Sequence, residues 1–197
     1  MKHSISARQT QIIEATGKVL MQKGIKGLTT KNLALQMGFT EGALYRHFKS
    51  KDDIIALLLN YFSTNISERI TPILETTESA ENQLKMVFKS QFNFLSQHPH
   101  FVIAILSEGL FDESEKINRA ILLVFETKMD LLSRIINSGK INQEFTLQLE
   151  TKEIIHLLAG SFRLLILKWK FSKFEFDLPA EGNQLMKSII DLIKYKS

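Results

Sequence analysis

Apolar residues recur along the chain at helical rather than strand spacing. Ile12, Ala15, Val19 and Leu20 share one helical face, as do Ile55, Leu58, Leu59, Phe62 and Ile66. Leu84, Val87, Phe88, Phe92 and Leu95 repeat the stripe, and Ile121, Phe125, Met129, Leu132 and Ile136 repeat it again. Alternation of period two, the mark of a half-buried strand, is confined to 171–178. Breaks are expected at Gly24 to Gly27, Gly38, Thr71 with Pro72, His98 with Pro99, Gly139, and Leu178 with Pro179. Pro99 and Pro179 suit the first turn of a helix, where a missing N–H costs nothing. The pattern predicts an all-α chain of about nine helices, the first three short and closely spaced, with little or no sheet.

The short helices carry the most informative chemistry. Thr29 or Thr30 is suited to cap a helix whose apolar residues are Leu33, Ala34 and Met37, and Gly38 falls where that helix stops in the left-handed conformation. Thr40 then caps a second helix, expected over 41–48, with Leu44 and Phe48 on its inner face. Two short helices joined by a glycine-containing turn form a helix-turn-helix, whose second helix fits the major groove of DNA. A helix over 5–23 supplies the third side of the small core, and Ser50 with Asp53 resembles a capping box for the next helix.

With Leu44 and Phe48 inward, Glu41, Gly42, Ala43, Tyr45, Arg46 and His47 fall on or beside the outer face, with Lys49 and Lys51 close behind. Gly42 and Ala43 are small enough to let the helix sit deep, and Ala43 suits a thymine methyl. Thr30, Lys31, Tyr45, His47 and Lys51 are natural phosphate donors, which set register without reading bases. Arg46 suits guanine bidentately or a phosphate.

Charge sharpens this reading, because the net +4 is unevenly spread. Up to Asp53 there are nine basic and four acidic side chains; beyond it there are 16 basic and 17 acidic. The positive excess is therefore in the first quarter, where a polyanion would dock. Among 197 residues there is no cysteine, which excludes disulfide scaffolds, zinc fingers, iron–sulfur clusters and thiol nucleophiles. The longest apolar run, 157–169, is broken by Arg163 and falls short of the roughly 20 residues of a membrane span. The first residues lack the apolar core of a secretory signal, so a soluble, cytoplasmic protein is expected. His98, His100, His156 and Glu108 make a poor ligand set, and no nucleophile-elbow, phosphate-loop or dinucleotide fingerprint is present. Neither an enzyme, a metal site nor a cofactor is expected.

Residues 5–60 resemble the DNA-binding domain of the TetR family of transcriptional regulators. The family pattern is matched by Gly27, Thr29-Thr30, Leu33-Ala34, Gly38, Leu44-Tyr45-Arg46-His47-Phe48 and Ser50-Lys51-Asp52-Asp53-Ile54. The resemblance implies DNA contacts from Thr30 and Lys31, from Thr40, Glu41, Gly42 and Ala43, from Tyr45 and His47, and from Lys51. Many members have Thr or Ser where this chain has Ala43, which shifts base readout toward Arg46 or Glu41. It further implies that 1–52 form the helix-turn-helix domain and 53–197 an all-helical ligand-binding and dimerisation domain.

Twelve of the 14 phenylalanines lie after residue 60. Phe62, Phe88, Phe92, Phe101, Phe125 and Phe162, drawn from several helices, are expected to line an apolar cavity. The helix over 153–170 is apolar nearly all round. Its Ile154, Leu158, Leu165 and Trp169, with Met186, Ile189, Ile190 and Ile193 of the last helix, are expected to pair with a second copy in a four-helix bundle. The function expected is that of a homodimeric repressor that binds a palindromic operator in double-stranded DNA and is released by a small apolar effector. The alternative is an activator or architectural DNA-binding protein whose phenylalanine-rich region is solid core.

Overall fold

The computed structural model describes residues 6–46, 48–106 and 114–195. Among these the chain forms nine helices: α1 (Ala7–Lys23), α2 (Thr30–Met37), α3 (Glu41–Tyr45), α4 (Lys51–Leu74), α5 (Ala80–Gln97), α6 (His100–Ile105), α7 (Glu115–Ile141), α8 (Thr151–Phe171) and α9 (Leu178–Ile193). No strand occurs among the described residues, only an isolated bridge between Phe145 and Lys194. The helical fold read from the apolar spacing is the fold observed.

Local chemistry sets most of the helix ends. Ser6 and Gln9 close a capping box at α1, with Gln9 N donating to Ser6 Oγ at 3.2 Å and Ser6 N to Gln9 Oε1 at 2.9 Å. Asp177 caps α9 by accepting from Ala180 N at 2.9 Å, with Pro179 in the first turn. Three expectations, two breaks and one alternating stretch, turn out differently. Helix α4 runs through Pro72 to Leu74, because a proline this close to the end removes only one amide from a ladder about to stop. Helix α7 runs past Gly139 to Ile141; that glycine makes room for Phe145, whose ring would lie 2.4 Å from any Cβ there. The alternating stretch 171–178 is no strand: it runs from the last residue of α8 to the first of α9 through a turn, with Lys173 and Phe174 at φ 56° and 66°. Trp169 Nε1 anchors it by donating to Phe176 O at 2.9 Å.

The chain divides into two compact units. The first takes α1, α2, α3, α4 as far as Phe62, α6 and the start of α7 up to Val124. Its core packs Ile12 and Ala15 of α1 against Leu33 and Ala34 of α2, Leu44 of α3, Phe48, and Ile54 of α4. Phe62 and Phe101 stack within it, ring centres 4.9 Å apart. Helix α6 lies so close to α1 that a Cβ on Gly17 would come within 2.9 Å of the His100 ring. Burial, with His98 nearby as a lesser cause, pushes that imidazole down to about 4, so it is neutral at physiological pH.

The second unit holds the rest of α4 and α7 with α5, α8 and α9. Phe88, Phe92 and Phe162 form its aromatic centre, with Phe92 and Phe162 5.1 Å apart. Gly182 of α9 lets that helix close on the cluster, since a Cβ there would lie 2.6 Å from the Phe92 ring. The Glu144 carboxylate accepts from the amides of Ala80 and Glu81 at 3.0 and 3.1 Å, placing negative charge at the start of α5. Gly182→Val is expected to lower unfolding stability by about 1–3 kcal/mol through overpacking against Phe92. Urea unfolding followed by circular dichroism measures this; an unchanged midpoint would mean that α9 does not depend on that close approach.

Candidate nucleic-acid interface and ligand cavity

The helix-turn-helix is held by caps rather than by helix length. Thr29 caps α2, its Oγ1 accepting from Asn32 N at 3.1 Å. Asn32 is itself fixed, accepting from Lys23 Nζ at 2.9 Å and donating to Gly27 O at 2.7 Å. Gly38 ends α2 at φ 67° and ψ 31°, and the next amide, of Phe39, returns to Ala34 O at 2.9 Å. Arg8 of α1 covers the Phe39 ring at 4.0 Å, pinning the turn. Thr40 then caps α3 through Ala43 N at 3.2 Å. Only five residues of α3 are helical, so the expected span 41–48 is too long, and Phe48 reaches the core from beyond its end.

Burial of Leu44 and Phe48 orients everything else. Lys31, Thr40, Glu41, Gly42 and Arg46 are exposed, while Thr30, Ala43 and Lys51 are half-buried. A Cβ built on Gly42 would meet nothing, so the outer face of α3 is open at that point. Thr30 Oγ1 donates to Glu41 Oε2 at 3.4 Å, joining the N-terminal ends of α2 and α3, and Glu41 thus has a structural partner besides any base. The backbone of Tyr45 lies in α3, whereas His47 is outside the described residues.

The start of α4 is fixed by the expected capping box. Ser50 N donates to Asp53 Oδ2 at 3.2 Å and Asp53 N to Ser50 Oγ at 3.4 Å; Lys49 N adds a third bond to Asp53 Oδ2 at 2.7 Å. Lys116 of α7 pairs with the other carboxylate oxygen. That hydrogen bond, and with less weight the Lys49 and Ser50 amides, hold the Asp53 carboxyl below its ordinary value against partial burial. The interface therefore has Lys51 presented from a doubly anchored helix end.

A cavity of about 50 Å³ lies within the second unit. Ile66 and Ile70 of α4, Val87 and Phe88 of α5, Leu132 of α7 and Phe162 of α8 form much of its wall. Of the six expected phenylalanines, Phe88 and Phe162 line it. Phe92 is buried behind them against Gly182, Phe62 and Phe101 stack in the first unit, and Phe125 is 56% exposed. Helical periodicity did not distinguish these places. Two polar residues in the wall, Gln91 and Lys128, went unnoticed in the sequence, although Lys128 lies on one helical stripe with buried Leu131 and Ile135.

The expected dimer residues are corrected in a similar way. Ile154, Leu158, Leu165, Trp169, Met186, Ile190 and Ile193 are buried within the single chain and so are not available to a partner; only Ile189 is partly exposed. Both helices turn those residues inward because α9 packs on α5 and α8. The opposite face of α8 instead exposes Leu157, Gly160, Leu164 and Phe171 at successive turns, with Leu164 68% and Phe171 77% accessible. Leu192 of α9 is exposed as well.

Comparison with known proteins follows this division of labour. The model for bacterial regulatory proteins of the tetR family matches residues 12–58, and that for the C-terminal region of YsiA-like proteins matches 59–192. The nucleoid occlusion factor SlmA of Photobacterium profundum is 26% identical over 170 residues, 86% of this chain and 87% of that protein. The fatty acid degradation regulator FadR of Bacillus halodurans superposes with a TM-score of 0.84 at 21% identity, over 96% of this chain and 95% of that one. FadR of Bacillus subtilis in complex with stearoyl-CoA superposes with a TM-score of 0.80 at 22% identity, over 93% and 96%. These two structures share the fold.

Because the folded pKa of Asp53 lies below that of the unfolded chain, about 3.9, its stabilisation is fully present above that value. It is lost as pH falls through the lower folded value. Asp53→Asn should therefore flatten the loss of stability as pH falls below about 4, read as thermal midpoints across the acid range; a parallel acid profile would show that the carboxylate is not held by these donors.

Proposed function

The chain belongs to the TetR family of bacterial transcriptional regulators, DNA-binding proteins rather than enzymes, and on that premise we propose that it is a homodimeric repressor released by a small effector. Residues 1–52 are the reading head, and 53–197 hold the effector and the partner copy. Two copies present two α3 helices to the half-sites of a palindromic operator, so the distance between heads sets affinity. Thr40, Glu41, Gly42, Ala43 and Arg46 are proposed to face the groove, with Thr30, Lys31 and Lys51 on the phosphates; Tyr45 and His47 are assigned to phosphates by the family resemblance alone.

The observation that carries this reading is the shared helix α4. It begins at Lys51 beside the reading head and contributes Ile66 and Ile70 to the cavity wall. An effector that needs more than about 50 Å³ enters only if the wall moves, so it binds a different conformation better than the resting one. The effector we propose is an apolar chain, in keeping with the apolar wall and with the stearoyl-CoA held by the Bacillus subtilis protein of like fold. The nucleoid occlusion relatives favour a second reading, DNA binding with no effector, in which the cavity stays closed. The absence of any change in operator affinity across a panel of long-chain compounds would support it.

Dimerisation is assigned to the exposed stripe of α8. Leu164→Glu should convert the dimer to monomer without unfolding it, and weaken operator binding by 10-fold or more by removing the second head. Analytical ultracentrifugation with circular dichroism reads both, and a dimer that persists would move the interface elsewhere. Lys51→Ala should weaken operator and random DNA alike and lower the salt slope of binding by about 1, as loss of one phosphate contact does. Selective loss of sequence preference in fluorescence anisotropy would instead make Lys51 a base reader.

A further inference from the structure

The cavity wall contains one polar feature that its apolar lining does not explain. Gln91 is 5% exposed, and its Nε2 is buried without a hydrogen-bond partner among the described residues. The orientation of the amide is fixed by chemistry. Arg69 Nη2 lies 2.7 Å from Gln91 Oε1, and a guanidinium only donates, so the oxygen must face Arg69 and the NH2 is left over. Arg69 is in turn fixed by Asn65 Oδ1 at 2.7 Å and Ser90 Oγ at 2.8 Å, with its guanidinium over the Phe94 ring at 4.4 Å. A buried amide donor without a partner is costly, and such a group is rare unless something else satisfies it.

A cation stands at the same wall. Lys128 lines the cavity, with Nζ 5.7 Å from the centre of the Phe162 ring. Burial, and then the charges of Arg163 and Arg69, push it down to about 8, the behaviour of an ammonium held in an apolar and electropositive place. A ligand oxygen of negative or partial negative charge would satisfy the Gln91 donor and lie at a wall that also carries the Lys128 charge.

We propose that Gln91 Nε2 and Lys128 form a head-group subsite that accepts a carboxylate or carbonyl oxygen at the end of an apolar chain, with Arg69 as the positioning residue that holds the Gln91 amide in register. The inference rests on the reading of this cavity as an effector site and adds the chemistry of the effector's polar end. A free fatty carboxylate and an acyl thioester both present such an oxygen, and the experiment separates them.

Binding of dodecanoate, dodecanoyl-CoA and dodecylamine to the full-length protein is measured directly by calorimetry in the absence of DNA. Dodecanoate, dodecanoyl-CoA or both should bind, and dodecylamine, which has no acceptor, should bind at least 10-fold more weakly. Gln91→Glu keeps an oxygen for Arg69 and nearly the same volume, but replaces the donor by a negative charge. It should weaken the oxygen-bearing ligand about 10- to 100-fold and reduce its preference over dodecylamine. Gln91→Met, uncharged and of similar size, should show the donor's loss alone, and Arg69→Met should narrow the same preference while leaving the amide donor in place. Preference for dodecanoate over its thioester identifies a carboxylate head, and the reverse a carbonyl. Wild-type protein that binds none of the oxygen-bearing chains, or variants that bind them unchanged, would overturn the subsite. Binding that follows this pattern but leaves operator affinity unaltered would overturn the repressor reading and not the subsite.

Discussion

The burial of Leu44 depends on four helices at once, and the reading face depends on that burial. A helix of five residues has no stability of its own in water, because nucleation fixes several dihedrals for the first hydrogen bond. Helix α3 exists because Leu44 is packed among Ile12, Leu33, Phe48 and Ile54, with Thr40 satisfying one of its orphan amides. Its outer residues face solvent because the inner one is held. The same is true of α2, eight residues long, which contributes Leu33 and Ala34 to that cluster. The chemistry offered to DNA is thus set by a core to which the DNA-facing residues contribute nothing.

Helix α4 extends this dependence along the chain. Its first turn is tied by the Ser50–Asp53 box and by Lys116, and its later turns present Ile66 and Ile70 to the cavity. Helix α4 is continuous from Lys51 to Leu74, and on the proposed reading a change at Ile66 and Ile70 would reach its first turn through that helix. Gly182, Gly139 and Gly17 show the same economy of space, each allowing an aromatic or imidazole ring to lie where a methyl group would collide. Packing this close makes interiors poor at deforming smoothly, so a change at one face is passed on as a shift of the whole element.

What was legible in the sequence was local. Thr40, Gly38 and the Ser50–Asp53 pair announce their roles because a cap or a left-handed turn is decided within four residues. The aromatic positions were not legible to the same degree. Phe62 and Phe88 occupy equivalent places on their own helical stripes, yet one stacks on Phe101 and the other lines the cavity, a difference set by which helix faces them. Helix α8 shows the limit most sharply. Apolar residues all round its circumference left no stripe distinguished: Leu158 and Leu165, expected at a partner, are buried within the chain, while Leu157 and Leu164 remain outside. Lys128 was readable in principle, as a cation on a stripe of buried positions.

A small cavity with an unsatisfied edge is suited to a switch for an energetic reason. A large, fully apolar chamber would bind an apolar chain without having to move, and equal affinity for two conformations shifts nothing. Here the cavity holds about 50 Å³ and has in its wall a buried amide donor without a partner among the described residues. On the proposed reading, that donor raises the free energy of this conformation relative to one in which the wall has opened around a ligand oxygen. On the proposed reading, hydrophobic burial of the chain would supply affinity in any conformation that admits it, whereas the polar edge and a displacement of Ile66 and Ile70 would make the affinity differ between conformations. Only that difference would reach Lys51.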